Sequence, residues 1–174
     1  MLLQSPTVKL RPIEPSDLPL MYKLENDTNM WVSANTTQPL SRSTIERYIR
    51  ATTGDIYKDG QLRLVIEAHQ HSIGFIDLTD FSPRHLRAEV GIGILPEYRQ
   101  QGLGSEALRL MEEYASQVLF VHQLYAYVDT DNEAGKSLFA KRGFCTVGNL
   151  DDWLKTTTSY RSIVIFQKII EKNS

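Results

Sequence analysis

The chain has 174 residues, of which 41% are hydrophobic and 23% are charged, with a formal net charge of −2 at pH 7. This mix excludes a disordered chain, and the nearly neutral charge gives no sign of a nucleic-acid or anionic-membrane surface. Since domains average about 150 residues, the length predicts one domain, 1–174, with a core of about 8–170.

Hydrophobic periodicity and turn residues predict the elements of the first half of the chain. They are a strand at 7–11, a helix from a cap at 16 or 17 to about 26, a loop at 26–39, a helix at 41–51, and a strand hairpin at 62–68 and 72–78. The loop contains Trp31 in an otherwise polar, broken stretch.

The second half alternates strands with helices. It reads as a strand at 88–95 ended by Pro96, a helix at 105–120, a strand at 124–128, a helix at 132–141 closed by Gly143, and strands at 144–148 and 160–169. This order predicts an α/β fold with a mixed central sheet of about six to seven strands, flanked by about four helices.

Two glycines mark the connection between the strand at 88–95 and the helix that follows it. The segment reads PEYRQQGLGSEA at 96–107. Gly102 and Gly104 let the backbone approach a ligand closely, and the helix start offers free N–H groups. The segment is therefore either an anion cradle suited to phosphate or a tight strand–helix turn.

Two other phosphate motifs fit this segment less well. A Walker loop needs a Lys after Gly104, and none is there. A dinucleotide fingerprint fits Gly102-x-Gly104-x-x-Ala107 with Asp129 as its acid, but six residues separate the strand from the first glycine. Too little chain follows Asp129 for the remaining strands of such a domain.

Two spaced motifs resemble the GNAT superfamily of acyl-CoA N-acyltransferases. The P-x-x-R-x-x-G-x-G run at 96–104 resembles its P-x-x-[RQ]-x-x-G-x-[GA] signature. DNEAGKSLFAKRGF at 131–144 is similar to its N-x-x-A-x-x-[LI]-Y-x-K-x-G-F segment. The opening LRP with Asp17-Leu18 is similar to the branch of ribosomal-protein and spermidine acetyltransferases. The resemblance implies a single GNAT-like domain.

The resemblance implies acetyl-CoA as co-substrate and assigns residues to it. Backbone N–H groups of the turn would hold the pyrophosphate: Gln101, Gly102, Leu103, Gly104 and Ser105. In this family the preceding strand splays from its neighbour, so its backbone, through Ile92 and Ile94, would pair with pantetheine. Asn132 and Phe139 would also contact the cofactor.

Gly91 and Gly93, within the same strand, favour an irregular or bulged strand, or simply close packing. Asn132 is also suited to cap the helix that it opens.

Glu89 is the candidate general base. Several members of the family carry a strand glutamate at this place, and an ammonium acceptor must lose a proton before it attacks a thioester. Phe139 stands where relatives usually have a proton-donating tyrosine, and Gly135 replaces their alanine. Either the thiolate leaves unaided, or a hydroxyl of Tyr125, Tyr127 or Ser137 substitutes.

The sequence therefore predicts an acetyl-CoA-dependent N-acetyltransferase that acts by direct attack in a ternary complex. The acceptor is left open between a small amine, a polyamine and a protein N-terminus, and a homodimer is left open as well. The uncharged stretch at 33–39 weakens a polyamine assignment, although Glu25, Asp27 and Glu89 could still supply negative charge. The alternative functions are a non-catalytic CoA-binding sensor and an unrelated nucleotide-binding oxidoreductase.

Four further expectations concern single residues and the location of the protein. His69 and His71 lack a third ligand nearby, so no metal site is predicted. The one cysteine, Cys145, excludes an intrachain disulfide framework and is expected to be packed. Trp153, like Trp31, is expected in a loop beside the acceptor. No signal peptide or membrane span is evident, so a cytoplasmic protein is expected.

Overall fold

The computed structural model describes residues 2–34 and 36–170, so position 35 of the uncharged stretch lies outside the described residues. Seven strands form one sheet: β1 Lys9–Pro12, β2 Leu62–Ala68, β3 His71–Ser82, β4 Arg87–Ile94, β5 Gln123–Asp129, β6 Cys145–Lys155 and β7 Tyr160–Ile169. The helices are α1 Leu18–Glu25, α2 Trp31–Ala34, α3 Arg42–Ala51, α4 Ile56–Asp59, α5 Leu103–Gln117 and α6 Glu133–Lys141. The predicted α/β class is confirmed.

The sheet is mixed, with strand order β1-β2-β3-β4-β5-β7-β6. β4 and β5 are parallel, and the five other neighbouring pairs are antiparallel. α5 forms the crossover between β4 and β5, as a parallel pair requires. The boundary between β4 and β5 therefore lies in the middle of the sheet.

Each face of the sheet has its own apolar core. α5 and α6 pack on one face, where Leu108, Met111 and Phe139 meet inward residues of β2 to β5. α1 and α3 pack on the other face over Val65 and Phe75. We call these the α5 face and the α1/α3 face. No helix in the described part of the chain is long and apolar enough to cross a membrane.

Local sequence explains where the helices begin and end. The Ser41 hydroxyl accepts from the backbone N–H of Thr44 at 3.1 Å and caps α3. The Asn132 side chain accepts from the N–H of Gly135 at 2.9 Å and caps α6. Gly143, at φ +80°, follows the end of α6 in the left-handed conformation that glycine adopts without strain.

The ends of several helices and strands, and the surroundings of Trp153 and Cys145, differ from the predictions. One-turn helix α2 lies in the segment predicted as a loop, α4 lies in a segment for which no element was predicted, and β3 and β6 are longer than predicted. α5 runs 103–117 rather than 105–120. Trp153 therefore lies in β6, not in a loop, and Trp31 begins α2. Cys145 is exposed rather than packed, because β6 is an edge strand with most of its residues open to solvent.

The predicted irregularity of β4 is wrong. Gly91 and Gly93 pair in regular register with Asp77 and Phe75 of β3. The bulge lies instead on β3, where the register shifts between Thr79 and Ser82. Close approach is required at a different glycine: a Cβ on Gly74 would lie 2.1 Å from the carbonyl oxygen of Gly93.

A buried carboxylate joins the helices of the α5 face to β7. Glu112 of α5 is 7% exposed and accepts from Arg142 at 2.8 Å and from the Lys168 ammonium at 2.7 Å. Lys168 also donates to the carbonyl of Arg142 at 2.6 Å. This cluster fixes the end of α6 against α5 and the sheet.

Removing this carboxylate should destabilise the fold. Glu112→Ala leaves two partly buried cations without their partner, so we expect the free energy of unfolding to fall by about 3 kcal/mol. Glu113→Gln, a change in a partly exposed surface pair on the same helix, should alter it by less than about 1 kcal/mol. Urea titration of both variants checks this, and equal effects would contradict a structural role for the buried cluster.

Candidate active site

The parallel strands β4 and β5 pair over only three positions. Arg87 pairs with Gln123, and the pairing ends where Glu89 meets Tyr125. We call this point the vertex. Beyond it β4 continues to Ile94, and no strand in 2–34 or 36–170 pairs with its β5 side. At about 3.3 Å per residue, the free edge from Glu89 to Ile94 is about 17 Å long. Its backbone groups remain available to an extended ligand.

The glycine turn lies at the far end of this free edge. Gln100 and Gly102 have φ of +59° and +78°, and Gly102 begins α5 without any side-chain cap. The N–H groups of the first turn of α5 therefore remain available to an anion, which the positive end of the helix dipole also attracts. Arg99 donates to the carbonyl of Ile94 at 2.8 Å and borders the turn.

The α1/α3 face of β4 is open beside the vertex. A Cβ added to Gly91 or Gly93 would meet nothing within 4 Å, so these residues form the floor of a groove. Ile92 and Ile94 point to the α5 face and pack against its core. Gly104 lies above them, where a Cβ would come 3.3 Å from the tip of Ile94.

Two carboxylates and a phenol meet at the vertex. Glu89 is half-buried, and its pKa is raised above the ordinary 4.5 by burial and by the nearby charge of Asp80. The Tyr125 hydroxyl donates to Asp80 at 2.5 Å. Burial and this bond raise the pKa of Tyr125, which remains a neutral donor. The vertex can therefore hold a cation and accept its proton.

Comparison with known proteins identifies the family. The model for the Acetyltransferase (GNAT) domain matches residues 7–145. A spermidine N(1)-acetyltransferase of Escherichia coli K12 is 30% identical over 167 residues, covering 92% of this chain and 87% of that protein. Its counterpart in Vibrio cholerae is 26% identical over 142 residues, with 81% and 80% covered. The chain belongs to the GNAT acetyltransferase family.

Solved structures show the same fold. Spermidine N-acetyltransferase from Vibrio cholerae, in complex with CoA and spermine, superposes with a TM-score of 0.84 at 23% identity, covering 95% of this chain and 97% of that one. A ribosomal L7/L12 alpha-N-protein acetyltransferase in complex with coenzyme A gives 0.83 at 16% identity, with 98% of both chains covered. The predicted N-acetyltransferase fold and activity are confirmed at the level of the family.

In this GNAT acetyltransferase the residues expected on α6 have structural contacts of their own. Asn132 is the cap, and a Cβ on Gly135 would come 2.6 Å from its amide nitrogen, so an alanine there would require the Asn132 side chain to shift. Phe139 is 5% exposed, with its ring 5.1 Å from that of Phe144. Ser137 is exposed. Contact of Asn132 and Phe139 with the cofactor stays a prediction.

A second polar cluster lies on the α1/α3 face next to the groove, and sequence reasoning missed it. Arg63 donates to Asp77 at 2.8 Å and to Glu25 at 2.5 Å. Burial alone would lower the pKa of Arg63, but the two carboxylates hold it above its ordinary value. Glu25 and Arg63 border a cavity of about 280 Å³ between α1, α3 and β2, which Tyr48 also lines. Asp77 lines a smaller neighbouring cavity of about 40 Å³, together with Arg63 and Tyr48. Asp77 pairs with Gly91, so this cluster reaches the groove floor.

Asp80 was also missed, because sequence alternation does not reveal which side chain a bulge redirects. Within the described residues, the predicted base, the free edge and the glycine turn follow one another along β4 and into α5. Gln101 to Ser105 form the turn and the first turn of α5, and Glu89 lies at the opposite end.

A charge in the turn should separate cofactor binding from folding. Gly104→Asp places a carboxylate at the start of α5, where it repels a pyrophosphate. Because its Cβ meets the tip of Ile94, the thermal midpoint should fall somewhat in a protein that still folds, and acetyl-CoA affinity should fall about 100-fold by calorimetry. Gly104→Ala, which adds only a Cβ, should lose far less. Unchanged affinity in a folded Gly104→Asp protein would contradict this site.

Proposed function

We propose that this enzyme transfers acetyl from acetyl-CoA to a primary amine of a polyamine, by direct attack in a ternary complex. The observation that carries the proposal is the parting of β4 from β5 at Glu89, with a glycine turn at the other end of the free edge. An anion site and a half-buried carboxylate are thus joined by unpaired backbone of suitable length.

The residues present fit acetyl-CoA as a substrate. The N–H groups of Gln101 to Ser105 would hold the pyrophosphate, because a helix start with a glycine cap offers several donors to one anion. The free backbone around Ile92 and Ile94 would pair with the pantetheine arm as an added strand. The thioester would then lie near the vertex, within reach of Glu89.

Glu89 would activate the acceptor. The ammonium group gives one proton to the Glu89 carboxylate, and the freed nitrogen lone pair forms the C–N bond at the thioester carbonyl. The C–S bond then breaks with its electron pair on sulfur, and the second nitrogen proton leaves for the thiolate or solvent. A thiolate is a tolerable leaving group, which is consistent with Phe139 in place of a tyrosine.

Charge on the α1/α3 face supports a polycationic acceptor. Glu89, Asp80, Asp77 and Glu25 contribute four carboxylates along this face, and Arg63 offsets one of them. An acidic groove attracts and orients a cation with several amines. The curated relatives named spermidine N(1)-acetyltransferases support the same acceptor class.

A panel of amines tests the acceptor. Release of free CoA thiol is followed with spermidine, putrescine, an aliphatic monoamine and a peptide with a free N-terminus. We expect kcat/KM for spermidine to exceed that for the monoamine at least about tenfold, because a second ammonium can pair with the acidic face. Preference for the peptide would overturn the polyamine acceptor. Cofactor binding without turnover of any amine would favour a CoA-binding sensor.

Substitution of Glu89 tests its role as the general base. Glu89→Gln keeps the shape and removes the basicity, so kcat/KM should fall about 10²-fold. Because burial and Asp80 raise the pKa of Glu89 above 4.5, wild-type activity should be lost as pH falls through that raised pKa. The rate of Glu89→Gln should lack this acid limb.

The matched control is Glu113→Gln, on the opposite side of the sheet, which removes the same charge. It should keep both the rate and the pH profile of the wild type. A Glu89→Gln enzyme with near-full rate at pH 7 would assign proton removal to another group or to water.

A further inference from the structure

The bulge in β3 turns one side chain away from its expected face. Thr79 pairs with Glu89 and Ser82 pairs with Arg87, so two residues of β3 lie opposite the single residue Ala88 of β4. Phe81 takes the inward position on the α5 face, where it is 9% exposed and joins the core. Asp80 is therefore the extra residue of the bulge.

The backbone of Asp80 is left-handed, at φ +47°, a conformation that few residues other than Gly, Asn and Asp adopt readily. Its carboxylate lies on the α1/α3 side, where it accepts the Tyr125 hydroxyl at 2.5 Å. Bulges next to active sites commonly redirect a side chain in this way. Here the redirected group is a second carboxylate beside Glu89.

The surroundings of Glu89 contain few charges. Asp80 approaches it from β3, and Tyr125, which pairs with Glu89 and packs against Tyr127, lies beside it on β5. Asp77 lies two residues before Thr79 on the same face of β3, and its carboxylate forms a salt bridge with Arg63 of β2. Arg87 precedes Glu89 on its own strand and is exposed. Asp80 is thus the charged group that acts on Glu89 most directly.

We propose that Asp80 is a positioning residue for the acceptor amine. The bulge and Tyr125 hold its carboxylate next to that of Glu89, and we call this pair of carboxylates the two-carboxylate seat. The seat draws the ammonium group to the vertex and favours transfer of its proton to Glu89. The inference rests on the proposed function. The like charge of Asp80 makes Glu89 hold a proton more readily, and the same charge attracts the cation that supplies the proton.

Asp80→Asn isolates the charge. Asn tolerates the left-handed backbone and its amide oxygen still accepts from Tyr125, so the bulge and the hydrogen bond persist. We expect KM for spermidine to rise about tenfold. We also expect the acid limb of kcat/KM to move to lower pH, because Glu89 loses a like-charged neighbour. Asp80→Glu should recover part of the wild-type KM.

A direct titration separates this inference from the proposed function. The ¹³C signal of the Glu89 carboxyl is followed by NMR against pH in the CoA-bound protein, for wild type, Asp80→Asn and the control Glu113→Gln. A lower pKa in Asp80→Asn alone supports the seat, and an unchanged pKa overturns it. Since this readout needs no turnover, it tests the coupling of Asp80 to Glu89 separately: a preference for another amine would overturn the polyamine acceptor alone, and an unchanged titration would overturn the role of Asp80 alone.

If Asp80→Asn unfolds, Asp80→Gly provides the second variant, because glycine adopts the left-handed bulge without strain. It should lower the pKa of Glu89 in the same direction. A folded Asp80→Gly protein with an unaltered Glu89 titration would equally overturn the proposal.

Discussion

The site depends on one backbone constraint: two parallel strands in the middle of the sheet stop pairing after three positions. Backbone N–H and C=O groups need hydrogen-bond partners, and beyond Glu89 no strand among the described residues pairs with the β5 side of β4. A ligand with its own amide groups can pair with such an edge, which is why we propose that the pantetheine arm binds there.

The two faces of the sheet have different roles in the site. On the α5 face, apolar packing and the Glu112 cluster hold α5 and α6 rigidly, so the helix start at Gly102 has a fixed position. On the α1/α3 face, the glycine floor leaves space and carboxylates supply charge. We propose that the reaction takes place at the vertex, because there a thioester along the free edge of β4 and a cationic amine on the α1/α3 face can both reach Glu89.

Much of the fold could be read from local sequence, since caps, glycine turns and hydrophobic periods act over a few residues. Ser41, Asn132 and Gly143 mark helix ends as predicted, and the helix of the glycine turn begins within two residues of its predicted start. What sequence reasoning missed is non-local. The bulge at Asp80 exists because β3 must match β4, and the Arg63 cluster forms because α1, β2 and β3 meet in space. Neither the bulge nor the cluster produces a periodic pattern of residues in the sequence.

The central claim is that the vertex brings thioester and amine together, and a crystal structure with a non-hydrolysable acetyl-CoA analogue and spermidine tests it most directly. The account predicts pyrophosphate oxygens on the N–H groups of residues 101–105 and the pantetheine arm along the free edge of β4. It also predicts an amine nitrogen within hydrogen-bond distance of the carboxylate of Glu89. An analogue bound elsewhere, or an amine whose nearest carboxylates exclude Glu89, would contradict it.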